Sequence, residues 1–228
     1  RTYVVSQNYR YTPDTWTIAD LVRQGKIGEV GQVNIDFFLG MDFGGGFRHS
    51  MEHPLIVDMS IHHCDLIRFI TGLNPVSVSG DSWNPPWSNY DGDVSNSLLF
   101  EMDNGARISY SGSWASKGIH CSWNGNWMIQ GDKGSITYDK DGVITLHEVP
   151  GLYSVEKTTV IDKLEVPHGE GQAYVLNRFI HCIENGETPE TIVDDNIFSV
   201  AMVYASVEAV ESGKKVPVLD DAFLALLK

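Results

Sequence analysis

Between Val33 and Leu39 apolar side chains fall on every second position (Val33, Ile35, Phe37, Leu39), with Gln32, Asn34, Asp36 and Phe38 in between. A period of two is that of a strand with one covered face. Upstream the period is helical. Trp16, Ala19 and Val22 recur at three-residue steps, and the spacing predicts a helix over Pro13–Gln24. Thr12 is suited to cap it, Pro13 to open its first turn and Asp14 to face its positive end, while Gly25 follows its last turn. A second helix is expected over Ile56–Thr71, preceded by the flexible Gly44-Gly45-Gly46 and stopped by Gly72 and Pro75.

Downstream the pattern becomes that of strands: Val76–Ser82, Val94–Met102, Ala106–Trp114, Trp123–Gln130, Gly134–Tyr138, Val143–Glu148 and Tyr153–Ile161. Asp103-Asn104-Gly105, Gly131-Asp132-Lys133-Gly134, Lys140-Asp141-Gly142 and Pro150-Gly151 punctuate them as turns. Strands joined by tight turns pair antiparallel. Helices over Gln172–Asn185 and Asp195–Ser212, a short strand at Val216–Val218 and a small helix at Asp220–Leu227 complete the chain, and Arg1–Asn8 also reads as strand. Helices gathered at both ends, with no β-α-β alternation, define the class as α+β: a large, mostly antiparallel open-faced β-sheet with helices packed on one face. No repeat, linker or low-complexity run divides residues 1–228, so one domain is expected.

Composition narrows the function. The 228 residues are 42% hydrophobic and 20% charged, enough for a sizeable core without staples. A net charge of −14 with no basic stripe argues against nucleic acid as a partner. The sequence has no apolar run of membrane-spanning length and no basic amphipathic helix, which argues against a membrane role. Cys64, Cys121 and Cys182 are odd in number and form no C-x-x-C, a usage suited to a reducing cytoplasm. No G-x-G-x-x-G, P-loop, G-x-S-x-G or H-E-x-x-H occurs, so the chain shows no cofactor cradle of its own.

The segment richest in chemistry is His53–Phe69. On a helix Asp58, His62 and Asp65 stand at i, i+4 and i+7 and share one face. A carboxylate beside an imidazole raises its pKa and orients it, the arrangement of a general base for a hydroxyl. The plainer alternative is a polar stripe that is solvated or tied into a structural network. His63 lies about 100° round the helix from His62. His49, His53, His62 and His63 match no standard zinc spacing, and no metal is expected. A second group is aromatic: Trp83, Trp87, Tyr90, Tyr110, Trp114, Trp123 and Trp127. Such rings stack on sugars or fill cores and interfaces, the packing role being the commoner. Trp123-Asn124-Gly125-Asn126-Trp127 is read as one strand, with both tryptophans on one face.

Four stretches resemble, in order, the C-terminal domain of the Gfo/Idh/MocA oxidoreductases. They are Asn8-Tyr9-Arg10 with Pro13 and Gly25-Lys26-Ile27-Gly28-Glu29-Val30; Asp58, His62 and Asp65 on one helix; Phe179–Pro189; and Val203–Val216. The resemblance spans nearly the whole chain. It implies a substrate-binding and oligomerisation domain whose partner, an N-terminal Rossmann domain absent from this chain, binds NAD or NADP. It implies hydride transfer at one carbinol of a sugar, inositol or related polyol, and a homodimer or homotetramer built through the open sheet face. Carried over by position, His62 is the base or proton relay, Asp58 its neighbour orienting substrate, and Arg10 a substrate contact. Trp114 and Trp123 are added as sugar-stacking residues. His53-Pro54-Leu55-Ile56-Val57 and Ser60 stand where the family has glycines, which marks a divergent pocket. Two other readings stay open: a non-catalytic relative that senses a sugar and dinucleotide, and a free-standing carbohydrate-binding scaffold.

Overall fold

The computed structural model describes residues 1–149, 151 and 157–220. After a 3₁₀ turn at Asn8–Tyr11, helix α1 runs over Pro13–Arg23 and strand β1 over Val30–Phe38. Thr12 caps α1, its Oγ1 accepting from the Thr15 N–H. Gly25, with φ of 68°, turns the chain out of the helix in the left-handed region open to glycine. A short helix α2 (Phe47–Ser50) precedes a π-helical turn at Leu55–Met59 and helix α3 (Ser60–Thr71). Strands β2 (Pro75–Trp83), β3 (Ser95–Met102), β4 (Arg107–Ser113), β5 (Asn126–Gly131), β6 (Gly134–Tyr138), β7 (Ile144–Glu148) and β8 (Lys157–Ile161) follow. Helices α4 (Gly171–Asn185) and α5 (Val193–Ser212) and strand β9 (Val216–Pro217) complete the order.

The nine strands form one sheet in the order β8-β7-β6-β5-β1-β4-β3-β2-β9. The α+β reading is therefore correct. One pair departs from the tight-turn rule: β1 and β4 run parallel, Val33 opposite Ile108. That rule constrains only strands adjacent in sequence, and β1 is separated from β4 by α3 and two further strands. One sheet face buries Val33, Ile35, Phe37, Leu98, Phe100, Ile108, Tyr110, Ile129 and Ile136 in the core with residues of α1, α3 and α5. On the opposite face Leu99, Ser109, Asn34 and Met128 lie in one row across β3, β4, β1 and β5. Leu99 and Met128 are exposed there.

Several sequence expectations change. Arg1–Asn8 forms no strand; Val4 makes a single bridge to Ile192. The expected regular helix from Ile56 begins instead as a π turn. The Ser60 N–H reaches the Leu55 carbonyl five residues back, and Ser60 Oγ donates to the same oxygen. Trp123 and Asn124 precede β5 in a turn closed by the Gly125 N–H on Ser122 O. The expected helix at 220–227 and the first part of the strand at 153–161 lie outside the described residues, Asp220 excepted. Among the described residues no helix is long and apolar enough to cross a membrane.

Candidate functional site

His62 is on the first turn of α3, and its ring lies flat on that of Tyr9, with centroids 4.3 Å apart and planes 9° from parallel. Its Nδ1 is buried and has no hydrogen-bond partner. Burial lowers the pKa of this ring, and the opposing pull of the Asp65 and Asp58 charges is too weak to restore it. This reverses the expectation that Asp58 raises it. Desolvation outweighs Coulomb attraction because neither carboxylate hydrogen-bonds the ring.

Asp58 is held elsewhere. Its Oδ2 accepts from Arg48 Nε at 2.7 Å. Asp58 lies in the π turn, and the hydrogen bond its carboxylate makes is to Arg48 and not to His62. The Arg48 guanidinium lies over the rings of Phe43 and Phe47, at 4.9 and 4.7 Å from their centroids. Tyr9 feels Asp58 too: burial first, and that charge second, raise its hydroxyl pKa. Tyr9, Arg48, Asp58 and His62 thus form one neighbourhood. Sequence reasoning missed Arg48, which sits on a short helix after three glycines with no periodic signal. It passed over Tyr9, although Tyr9 lies inside the Asn8–Arg10 motif.

Arg10 is placed differently from the role the resemblance gave it. Its guanidinium is buried and grips Asp65 with two bonds, Nε to Oδ2 at 2.5 Å and Nη2 to Oδ1 at 2.6 Å. Nη2 also reaches Asp195 at 3.3 Å, and Arg68 Nη2 binds the same carboxylate at 2.6 Å. Burial opposes the Asp195 charge, but Arg68 and Arg10 together hold its pKa below the usual range. Asp65 is therefore a structural anchor between α3, α5 and the segment leading into α1.

Trp114 requires a correction. It is 1% exposed, packed against Phe43 and Tyr90, and presents no ring face to a sugar. Trp123 is 42% exposed, and its carbonyl accepts from His63 Nε2 at 3.0 Å. That carbonyl can only accept, so Nε2 carries the proton and Nδ1 accepts from the Tyr110 hydroxyl at 2.9 Å. His63 is fully buried, and burial brings its pKa down to about 4. It is a neutral core residue. A cavity of about 550 Å³ is lined by Tyr3, Val4, Val175 and Leu176, and His62 is not part of its lining.

The fold and these residues describe an open-faced α+β domain that presents one neutral, unpaired imidazole beside an arginine–carboxylate pair. Residues 15–137 match the model of the GFO/IDH/MocA C-terminal domain. The chain belongs to that family. It is 28% identical over 221 residues to the uncharacterized protein y4oX of Sinorhizobium fredii, covering 94% of this chain and 61% of the relative. It is 26% identical to the scyllo-inositol 2-dehydrogenase (NAD(+)) of Bacillus subtilis, covering 87% of this chain and 58% of the relative. A crystal structure of an oxidoreductase from Agrobacterium radiobacter, in complex with NAD+, L-tartaric acid and magnesium, superimposes with a TM-score of 0.83 at 21% identity. That match covers 95% of this chain and 65% of the other. The chain thus spans 58–61% of the length of these two curated relatives.

Proposed function

We propose that this chain is the substrate-binding part of an NAD(P)-dependent oxidoreductase that acts on a CH–OH carbinol of a sugar, inositol or related polyol. Family membership and the inositol dehydrogenase relative support the reaction class. The observation that carries the reading is the state of His62. It is kept neutral by burial, stacked in a fixed orientation, and makes no hydrogen bond to the protein. A neutral imidazole fixed in this way can accept the proton of a carbinol hydroxyl as that carbon is oxidised. Arg48 and Asp58 offer donors and acceptors beside it for neighbouring hydroxyls.

The described residues carry no Rossmann-type dinucleotide cradle. The one parallel pair, β1 and β4, has no glycine-rich turn leading from a strand directly into a helix. NAD or NADP is therefore assigned to a unit outside these residues, and that unit would also close the substrate site over His62. The exposed row on the sheet, with Leu99 and Met128 in it, is read as the face of a homodimer or homotetramer. Three free, buried cysteines suit a cytoplasmic setting.

The test is turnover of inositols and sugars with NAD+ or NADP+ by the whole protein and by its His62→Asn variant. Loss of a general base is expected to lower turnover by about 10²–10⁴-fold. Unchanged turnover in the variant, or no polyol oxidised by the parent, would overturn the reading.

A further inference from the structure

A second histidine, remote in role from His62, is set up in an unusual way. His53 is 7% exposed and lies just before the π turn, in the loop that leads into α3. Its Nδ1 is 3.3 Å from Ser82 Oγ on β2, and that hydroxyl donates to Asp93 Oδ2 at 2.8 Å. The direction of this relay is fixed at its far end, because an ionised carboxylate only accepts. The serine proton is committed to Asp93, so the serine oxygen is free to accept the proton on His53 Nδ1. The lone pair of the neutral ring is then left on Nε2.

That nitrogen is buried, has no hydrogen-bond partner, and faces a carboxylate, Glu211 Oε1, at 3.6 Å. Glu52 supplies a second carboxylate, and the three ligand atoms all lie within 4.8 Å of one another. A lone pair pointed at two anions is repulsive unless a positive charge lies between them. No lysine or arginine among the described residues forms an ion pair with Glu52 or Glu211. The loop is held where it is, since the Glu52 carbonyl accepts from the Asp93 N–H at 2.7 Å and the His49 carbonyl from the Asp91 N–H at 2.9 Å.

We propose that His53 Nε2 and one oxygen each of Glu52 and Glu211 bind a divalent transition-metal ion, with water completing its shell. One imidazole and two carboxylates suit a borderline cation such as zinc, and the Ser82–Asp93 relay is the outer hydrogen-bonded shell that fixes a metal-binding tautomer. Ligand distances of about 2.0–2.2 Å place ligand atoms at most about 4.4 Å apart. The exposed glutamate side chains need to close only slightly. The ion would pin the loop entering α3 to the last turn of α5. It would thereby hold the start of the helix that carries His62, and stabilise the fold by binding the folded chain alone.

The experiment titrates zinc chloride into the chelator-treated protein by calorimetry, with ¹⁵N NMR of the histidine rings. One equivalent is expected to bind, moving the His53 Nε2 resonance and raising Tm. His53→Gln and Glu211→Gln should each weaken binding by more than the about 10–100-fold typical of an outer-shell loss, and Ser82→Ala by about 10-fold. Glu211 is half exposed, so its variant is expected to fold, which an unchanged Tm without zinc would show. Three results would overturn the proposal: no binding by the parent, zinc affinity indifferent to both ligand variants, or a His53 ring doubly protonated in the presence of zinc. The last would mean that a proton, not a metal, fills the gap.

Discussion

Arg10 and Asp65 stand as a two-bond fork in the protein interior, Nε and Nη2 of one facing the two carboxylate oxygens of the other. Asp65 also accepts from Ser199 Oγ at 3.1 Å, so a single carboxylate ties the N-terminal segment, α3 and α5 together. Removing one partner of such a buried pair leaves the other charge uncompensated. Asp65→Asn is expected to destabilise the fold by about 3–5 kcal/mol, whereas Arg10→Met with Asp65→Leu recovers most of that loss. Urea denaturation of the three proteins checks this. A double variant no better than Asp65→Asn would show that the fork does more than satisfy its own charges.

His63 gives the fold an acid sensitivity with a definite sign. An unfolded chain protonates this histidine near its ordinary pKa of 6.5, while the folded protein does so only near 4. Between those values the unfolded state holds the extra proton, so stability falls as pH drops from 6.5 toward 4 and is fully present above 6.5. The difference is on the order of 3 kcal/mol. The pH dependence of the urea midpoint should be shallower over this window in His63→Gln than in the parent. Parallel profiles would remove His63 as its source.

The two tryptophans singled out as sugar platforms should separate on mutation. Trp114→Ala empties a core position and is expected to cost about 3–5 kcal/mol of stability. Trp123→Ala removes a half-exposed ring but keeps the carbonyl that serves His63, and is expected to shift stability by about 0.5 kcal/mol or less. Thermal and urea unfolding distinguish them. Equal losses would mean that the ring of Trp123 is packed as firmly as that of Trp114.

The open sheet face makes a prediction about association. If the row through Leu99 and Met128 is an interface between copies, Leu99→Lys should place a charge in it. The protein would then sediment as a monomer in analytical ultracentrifugation with its Tm in dilute solution largely kept. An unchanged sedimentation coefficient would direct the search for the interface elsewhere.

The sequence by itself determined the alternation of Val33, Ile35 and Phe37, the capped helix from Pro13, the hairpin turn at Gly105 and the left-handed glycine after α3. Each is a local matter of period, cap or φ, settled by residues a few positions apart. It also placed Asp58 and His62 close together in the chain. What those two do to each other was decided only by tertiary structure. The Asp58 carboxylate is taken up by Arg48, ten residues earlier in the chain, and burial set the His62 pKa against the carboxylates. The parallel pairing of β1 with β4, the grip of Arg10 on Asp65 and the meeting of His53 with Glu211 join residues far apart in sequence. Such pairings depend on which surfaces close on one another and how much water they exclude, and no local pattern carries that information.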